Sequence, residues 1–122
     1  MAVAEAKGIQ SDLIPKIATG FCSGIARTSG QCGALSGAIM GISLMTGRSD
    51  PDESVEENYR LVQKLMTMFE GEFGSGNCGN LTQVDLNSEE GQAAFKASNQ
   101  IENCYNYVEF VTEMTLSLLE NE

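Results

Sequence analysis

Apolar residues recur along the chain at the spacing of helices that bury one face. Within residues 12–27 this spacing predicts one long helix, with Asp12 as its N-cap and Pro15 in the first turn, where proline is tolerated. The apolar positions of this helix are Leu13, Ile14, Ile17, Phe21 and Ile25. After a short break, residues 31–46 predict a second helix that ends at Gly47. We expect the two helices to pack as an antiparallel hairpin.

The next helix start is indicated by Asp50, Pro51 and Glu53, which together have the pattern of a capping box. The third helix that follows carries apolar residues in alternating steps of four and three, as a core-facing stripe requires. These residues are Val55, Tyr59, Val62, Met66, Phe69 and Phe73. Gly74 is expected to end this helix.

The remainder of the chain predicts a loop, a short helix and a long last helix. The loop covers residues 78–86, Ser88 is the expected N-cap of the short helix, and residues 99–119 form the last helix with Cys104 on its core-facing side. No stretch alternates as a strand would. We therefore predict an all-α fold, a single-domain helical bundle over residues 1–122 with about four main helices and short helical segments.

The composition of the chain excludes several classes of catalytic site, metal site and binding partner. The 122 residues include four cysteines and no histidine, and the net charge is −10. A catalytic triad, a Cys-His dyad and a histidine-ligated metal are therefore excluded for this chain alone. The acidic charge also argues against nucleic acid and an anionic membrane surface as partners.

The first residues have neither the basic start nor the apolar run of a secretory signal. The longest apolar-leaning stretch, residues 34–45, is about half the roughly 20 residues needed to cross a bilayer. We expect a cytoplasmic protein without membrane insertion. In a reducing compartment the cysteines are thiols by default, and a disulfide would be transient and redox-active.

Glycines are concentrated in the two N-terminal helices. Gly33, Gly37 and Gly41 share one stripe of the second helix, and Gly20 and Gly24 are four apart on the first. Each glycine costs a helix about 1 kcal/mol relative to alanine, so close approach of another group is expected there. That group is either the neighbouring helix backbone or a bound cofactor or substrate. In the second case Gly33, Gly37 and Arg27 are the candidate cofactor contacts.

The cysteines are the candidate functional residues. Cys32 is expected at the N-terminal turn of the second helix, where backbone N–H groups and the helix dipole, aided by Arg27, would stabilise a thiolate. Cys22 lies ten residues earlier, Cys78 stands in a glycine-rich loop and Cys104 faces the core. No C-x-x-C spacing occurs, yet Cys22, Cys32, Cys78 and Cys104 could converge on a [2Fe–2S] cluster or a tetrahedral metal ion, since ligands need only meet in space.

Residues 30–41 (GQCGALSGAIMG) resemble the C_GCAxxG_C_C family, to which a redox role is ascribed. The matching positions are Cys32, Gly33, Ala34 and Gly37. The FGSGNC segment that ends at Cys78 and the CYNYV segment that begins at Cys104 look like further family features in the same order. The resemblance covers residues 9–119. It implies redox activity and genes often located beside transporter genes, so a redox partner protein or a transporter-associated system is the implied partner.

The chain departs from the family pattern in one respect. Relatives commonly carry an early cysteine in an N-C-A-like segment, whereas residues 1–9 here have none, and Cys22 occupies a place where many relatives have glycine. Either Cys22 serves as the fourth thiol, or Cys32, Cys78 and Cys104 build the site with Cys22 as a variant ligand.

Three functions remain open. The first is cytoplasmic thiol–disulfide exchange centred on Cys32, with Cys78 or Cys22 as resolving partner and Cys104 as an additional thiol; it requires no cofactor. The second is a cysteine-ligated metal or iron–sulfur protein for electron transfer or metal handling. The third is a non-enzymatic acidic helical adaptor. Its methionines provide adaptable apolar surface through which two copies could form a homodimer.

Overall fold

The computed structural model describes residues 1–120, so the last two residues of the predicted domain lie outside the described part. The described chain is helical, in agreement with the predicted all-α fold. Its α-helices are α1 (Ala2–Ala6), α2 (Leu13–Ala18), α3 (Gly33–Thr46), α4 (Glu56–Phe73), α5 (Cys78–Thr82), α6 (Glu89–Ala97) and α7 (Ile101–Glu120).

Helix α3 is the centre of the bundle and packs against both α4 and α7. Its residues Leu35 and Ile42 are fully buried, as are Leu61, Leu65 and Phe69 of α4. Burial of side chains of this size contributes roughly 1.5–3 kcal/mol each. Val111 and Thr115 of α7 are buried, as three- and four-residue steps along this helix predict, but Ile101 and Val108 of the same predicted stripe are exposed.

The predicted long helix over residues 12–27 is wrong. The chain forms α2, one 3₁₀ turn (Thr19–Phe21) and then the segment Cys22–Arg27, in which φ is positive at every residue from Ser23 to Arg27. We call Cys22–Arg27 the left-handed turn. Left-handed helical backbone costs an L-residue about 1–2 kcal/mol, and glycine alone is free of this cost. A simple antiparallel hairpin with α3 is therefore not formed.

The third helix begins later than predicted. The Asp50 carboxylate accepts a hydrogen bond from the Asp52 backbone N–H at 2.9 Å, which closes a local turn instead of a capping box. Helix α4 starts only at Glu56. The predicted loop at residues 78–86 likewise contains a short helix, α5.

Three other predicted boundaries are confirmed, whereas α3 and α7 each begin two residues later than predicted, at Gly33 and Ile101. Helix α3 ends at Thr46, just before Gly47, and α4 ends before Gly74, whose φ of +84° suits glycine. Ser88 caps α6 by accepting a hydrogen bond from the Gly91 backbone N–H at 2.9 Å. Over residues 1–120, no helix has the length and apolar character needed to cross a membrane.

Candidate thiol site

Two backbone segments that precede α3 and α5 pair over a single antiparallel β-bridge between Gln31 and Asn77. The Cys32 N–H donates to the Gly76 carbonyl at 2.8 Å, and the Cys78 N–H donates to the Gly30 carbonyl at 2.7 Å. In this register Cys32 and Cys78 are diagonal neighbours on the same face of the pairing. The bridge therefore brings together two cysteines from distant parts of the sequence.

Cys104 joins these two cysteines from α7. Burial raises the pKa of the Cys104 thiol, and negative charge on Cys32 and then on Cys78 raises it further. Burial also raises the pKa of Cys78, with a further increase from Cys32 and an opposing hydrogen bond from Thr82. Negative charge on Cys32 thus disfavours ionisation of both Cys78 and Cys104. We call Cys32, Cys78 and Cys104 the thiol cluster.

An aromatic group lies beside the thiol cluster. Tyr107 follows Cys104 by three residues on α7 and is 8% exposed. Its ring lies 4.7 Å from that of Phe73 in an edge-to-face arrangement, and Phe69 and Phe110 pack on the same group. Burial is the main cause of a raised Tyr107 pKa, and the charges of the three clustered cysteines add to it. The phenol therefore remains protonated beside the thiols at neutral pH.

The left-handed turn presses against Cys78. Gly24 is buried in this turn with a φ of +64°, and its carbonyl accepts a hydrogen bond from the Gly30 N–H at 2.9 Å. A Cβ atom at position 24 would lie 2.9 Å from the Cys78 sulfur. Thr28 secures the turn, because its hydroxyl donates to the Ile25 carbonyl at 2.8 Å. Strained backbone of this kind persists only where its surroundings fix it, and it is common at functional sites.

Cys22 is not brought into the thiol cluster. Its side chain is exposed, and its Sγ lies 4.0 Å from the Ala18 carbonyl oxygen. The Cys22 backbone nevertheless lies against α3, since a Cβ atom at Gly33 would be 3.3 Å from the Cys22 Cα. Arg27 is exposed in the left-handed turn and is not among the groups that shift the pKa of Cys78 or Cys104.

The predicted glycine stripe has two different environments. Gly33 and Gly41 pack closely, the first against the Cys22 backbone and the second against Val3, which lies 3.1 Å from a Cβ position there. All three glycines line an open apolar cavity, but a Cβ atom at Gly37 would have no neighbouring heavy atom within 4 Å. Close packing therefore accounts for Gly33 and Gly41, but it does not account for Gly37.

All four cysteines carry free thiols. Within residues 1–120, no group of three or more Cys, Asp or Glu side chains is arranged to hold a metal ion. The thiol cluster in this state is therefore three neighbouring thiols held by α3, α5 and α7.

The model of one protein family matches residues 1–118, and its description is "Putative redox-active protein (C_GCAxxG_C_C)". The chain belongs to the C_GCAxxG_C_C family. The resemblance carried by residues 30–41 is confirmed over nearly the whole sequence. No curated protein and no solved structure matches the chain.

Several residues of this family member's site are absent from the sequence-based prediction. Gln31 and Asn77 form the bridge, and the Gln31 Nε2 is buried without a hydrogen-bond partner in the described chain. Tyr107 could have been found from its spacing, because a residue three positions after Cys104 lies on the same helix face. The bridge itself leaves no comparable signal, since it consists of one residue pair.

Proposed function

We propose that this C_GCAxxG_C_C family member is a thiol–disulfide redox protein whose redox pair is Cys32 and Cys78. The observation that carries the proposal is the Gln31–Asn77 bridge, which holds the two thiols as diagonal neighbours on one face. Diagonal positions in an antiparallel pair lie about 7–8 Å apart, with the Cβ atoms somewhat closer. A disulfide needs Cα atoms within about 6.8 Å, so a small local shift suffices to join the sulfurs.

The two cysteines have different environments and hence different roles. Cys78 is more exposed than Cys32, so it is the thiol that meets an external disulfide. Cys32 is the buried N-cap residue of the 14-residue helix α3, so it meets only a sulfur that is already within the site. We therefore assign the attack on the partner to Cys78 and the resolving attack to Cys32, which reverses the roles predicted from the sequence because Cys32 is buried.

The reaction balances as a two-electron exchange. Cys78 loses its proton to solvent and attacks a partner disulfide, which forms a mixed disulfide and releases one partner thiolate. Cys32 then loses its proton to solvent and attacks the Cys78 sulfur, which forms the Cys32–Cys78 disulfide and releases the second partner thiolate. The partner disulfide is reduced to two thiols while the two protein thiols are oxidised. No cofactor takes part.

Cys104 serves as a third thiol that can exchange with either member of the pair, whereas the exposed Cys22 lies outside the thiol cluster and takes no part. A cytoplasmic location suits this chemistry, because the reducing pool there regenerates the dithiol. We propose that the partner is a protein that carries a disulfide. Because genes of the family often lie beside transporter genes, we expect this partner to be a transporter-associated protein.

Oxidation in glutathione redox buffers of graded potential, followed by peptide mapping, tests this assignment. We expect a Cys32–Cys78 cross-link that titrates as one two-electron transition. Cys32→Ser and Cys78→Ser should each abolish it, whereas Cys22→Ser, the matched control at an exposed thiol, should leave its midpoint unchanged. A cross-link between Cys22 and Cys32 in the wild type would contradict the proposed pair.

A cysteine-ligated metal or iron–sulfur centre is the second candidate. Cys32, Cys78 and Cys104 would supply its thiolate ligands, but they would have to move to do so, since within residues 1–120 they are not arranged to hold a metal ion. Metal and acid-labile sulfide analysis of anaerobically purified protein separates the two functions. Stoichiometric iron or zinc that is lost in Cys32→Ser would favour the metal centre over thiol exchange.

A further inference from the structure

Helix α2 is largely apolar, yet the rest of the protein does not cover it. None of the residues of α2, all of which the structure describes, is buried. Leu13 is 68% exposed and Ile17 is 74% exposed. Isolated helices shorter than about 12–15 residues are marginal in water, so α2 needs a packing partner on this side. We call Leu13 and Ile17 the α2 ridge.

The open apolar cavity lies directly beside the α2 ridge. Ile14 and Ile17 line it from α2, Gly37 and Leu44 from α3, and Val108 from α7. Ile17, Leu44 and Val108 are each at least 43% exposed, and within residues 1–120 no charged side chain lines the cavity. Monomeric soluble proteins rarely expose extended apolar surface, and where it occurs it marks an interaction site.

The total exposed surface indicates how large the missing contact is. The protein exposes 7607 Å² at a mass of 13.1 kDa. A folded monomer of this mass exposes about 6,400 Å², so the excess is about 1,200 Å². A standard protein–protein interface removes about 800 Å² from each partner. The excess is therefore large enough for one stable interface.

The charge distribution and the shape of this face favour a second copy of the chain as the partner. Two copies with a net charge of −10 repel each other over most of their surface. Residues 8–49, which include α2 and α3, hold one of the 17 acidic residues and three of the seven basic residues. Two copies can approach here with the least repulsion. A ridge beside a cavity is also self-complementary, as a two-fold interface requires.

We propose that the protein forms a two-fold symmetric homodimer in which the α2 ridge of each copy packs into the open apolar cavity of the other. The contact is made twice, because both copies use the same surface. The open space at Gly37 admits the incoming side chains. Cys32 and Cys78 do not line the cavity, so the proposal does not depend on thiol–disulfide exchange.

Sedimentation equilibrium of the whole protein, with excess reductant to exclude intermolecular disulfides, tests the proposal. We expect a reversible monomer–dimer equilibrium for the wild type. Ile17→Glu should weaken the dimer by about 100-fold or more, because each dimer would bury two unpaired carboxylates. Tyr59→Glu is the matched control, since it adds the same charge at a side chain that is 53% exposed but lies on α4. It should leave the dimer dissociation constant unchanged.

Gly37→Leu fills the cavity and leaves the α2 ridge unaltered. It should weaken the dimer by about tenfold or more. An equimolar mixture of Ile17→Glu and Gly37→Leu should associate more tightly than either variant alone, because the mixed dimer retains one unaltered contact between ridge and cavity. A wild type that is monomeric at every concentration, or equal weakening by Ile17→Glu and Tyr59→Glu, would overturn the proposal. So would a mixture that associates no more tightly than the separate variants.

Discussion

Gly24 lies so close to Cys78 that a Cβ atom at position 24 would be 2.9 Å from the Cys78 sulfur. The φ of Gly24 is +64°, so an L-side chain there would also be conformationally strained. We predict that Gly24→Ala lowers the free energy of unfolding by about 2–4 kcal/mol through strain and overpacking together. Urea denaturation followed by circular dichroism measures this change.

Gly20→Ala is the matched control for that prediction. Gly20 lies a few residues earlier and has no heavy atom within 4 Å of its Cβ position. Its substitution should leave the free energy of unfolding within about 0.5 kcal/mol of the wild-type value. Equal stability of the two variants would show that Gly24 does not fix the left-handed turn against Cys78.

A second prediction concerns the caps of the helices. Ser88 accepts a hydrogen bond from the Gly91 N–H, whereas Asp12 makes no side-chain cap bond to α2. Ser88→Ala should therefore destabilise the protein by about 1 kcal/mol, and Asp12→Ala should have a much smaller effect. Urea midpoints of the two variants make the comparison. A larger loss for Asp12→Ala would contradict the assigned caps.

These residues show where a sequence pattern is enough to predict a helix N-cap and where it is not. Ser88, Asp12 and Asp50 all have the composition of helix starts, but only Ser88 caps the helix predicted for it. A short side chain followed by polar residues also stabilises a local turn, and Asp50 forms that turn. The α7 stripe was predictable because three- and four-residue steps over a long segment fit a helix only.

The left-handed turn could not be predicted from its own residues. Its apolar positions fit a continuous right-handed helix, whereas in the structure the segment turns left-handed and packs at Gly24 against Cys78, a residue distant in sequence. The same limit applies to the thiol cluster. Periodicity placed Cys104 toward the core, but the Gln31–Asn77 bridge that joins Cys32 to Cys78 is a tertiary pairing. Cys22 stays outside because the left-handed turn leaves its thiol exposed.

A third prediction follows from the raised pKa values of Cys78 and Cys104, for which burial is the main cause. In the unfolded chain these thiols ionise at about pH 8.5. Above that pH the unfolded state loses protons before the folded state does, so the free energy of unfolding should fall as pH rises. Below about pH 7.5 both states are protonated, and these thiols contribute no pH dependence.

Urea midpoints at pH 7.5, 8.5 and 9.5 measure this slope. The double variant Cys78→Ser, Cys104→Ser should flatten it, because serine does not titrate in this range. Cys22→Ser removes an exposed thiol outside the cluster and serves as the control with an unchanged slope. An equally steep fall in the double variant would mean that the alkaline destabilisation arises elsewhere.

The last prediction concerns Thr115, whose fully buried hydroxyl lacks a hydrogen-bond partner in the described chain. Leaving such a group unsatisfied costs about 1–3 kcal/mol. Valine has nearly the same shape without the hydroxyl, so Thr115→Val should raise the free energy of unfolding by about 1 kcal/mol. Leu118→Ala is the control, because it removes side-chain volume nearby on α7. It should lower the free energy of unfolding, the opposite change to that expected for Thr115→Val. A Thr115→Val variant less stable than the wild type would mean that the hydroxyl is satisfied within the protein.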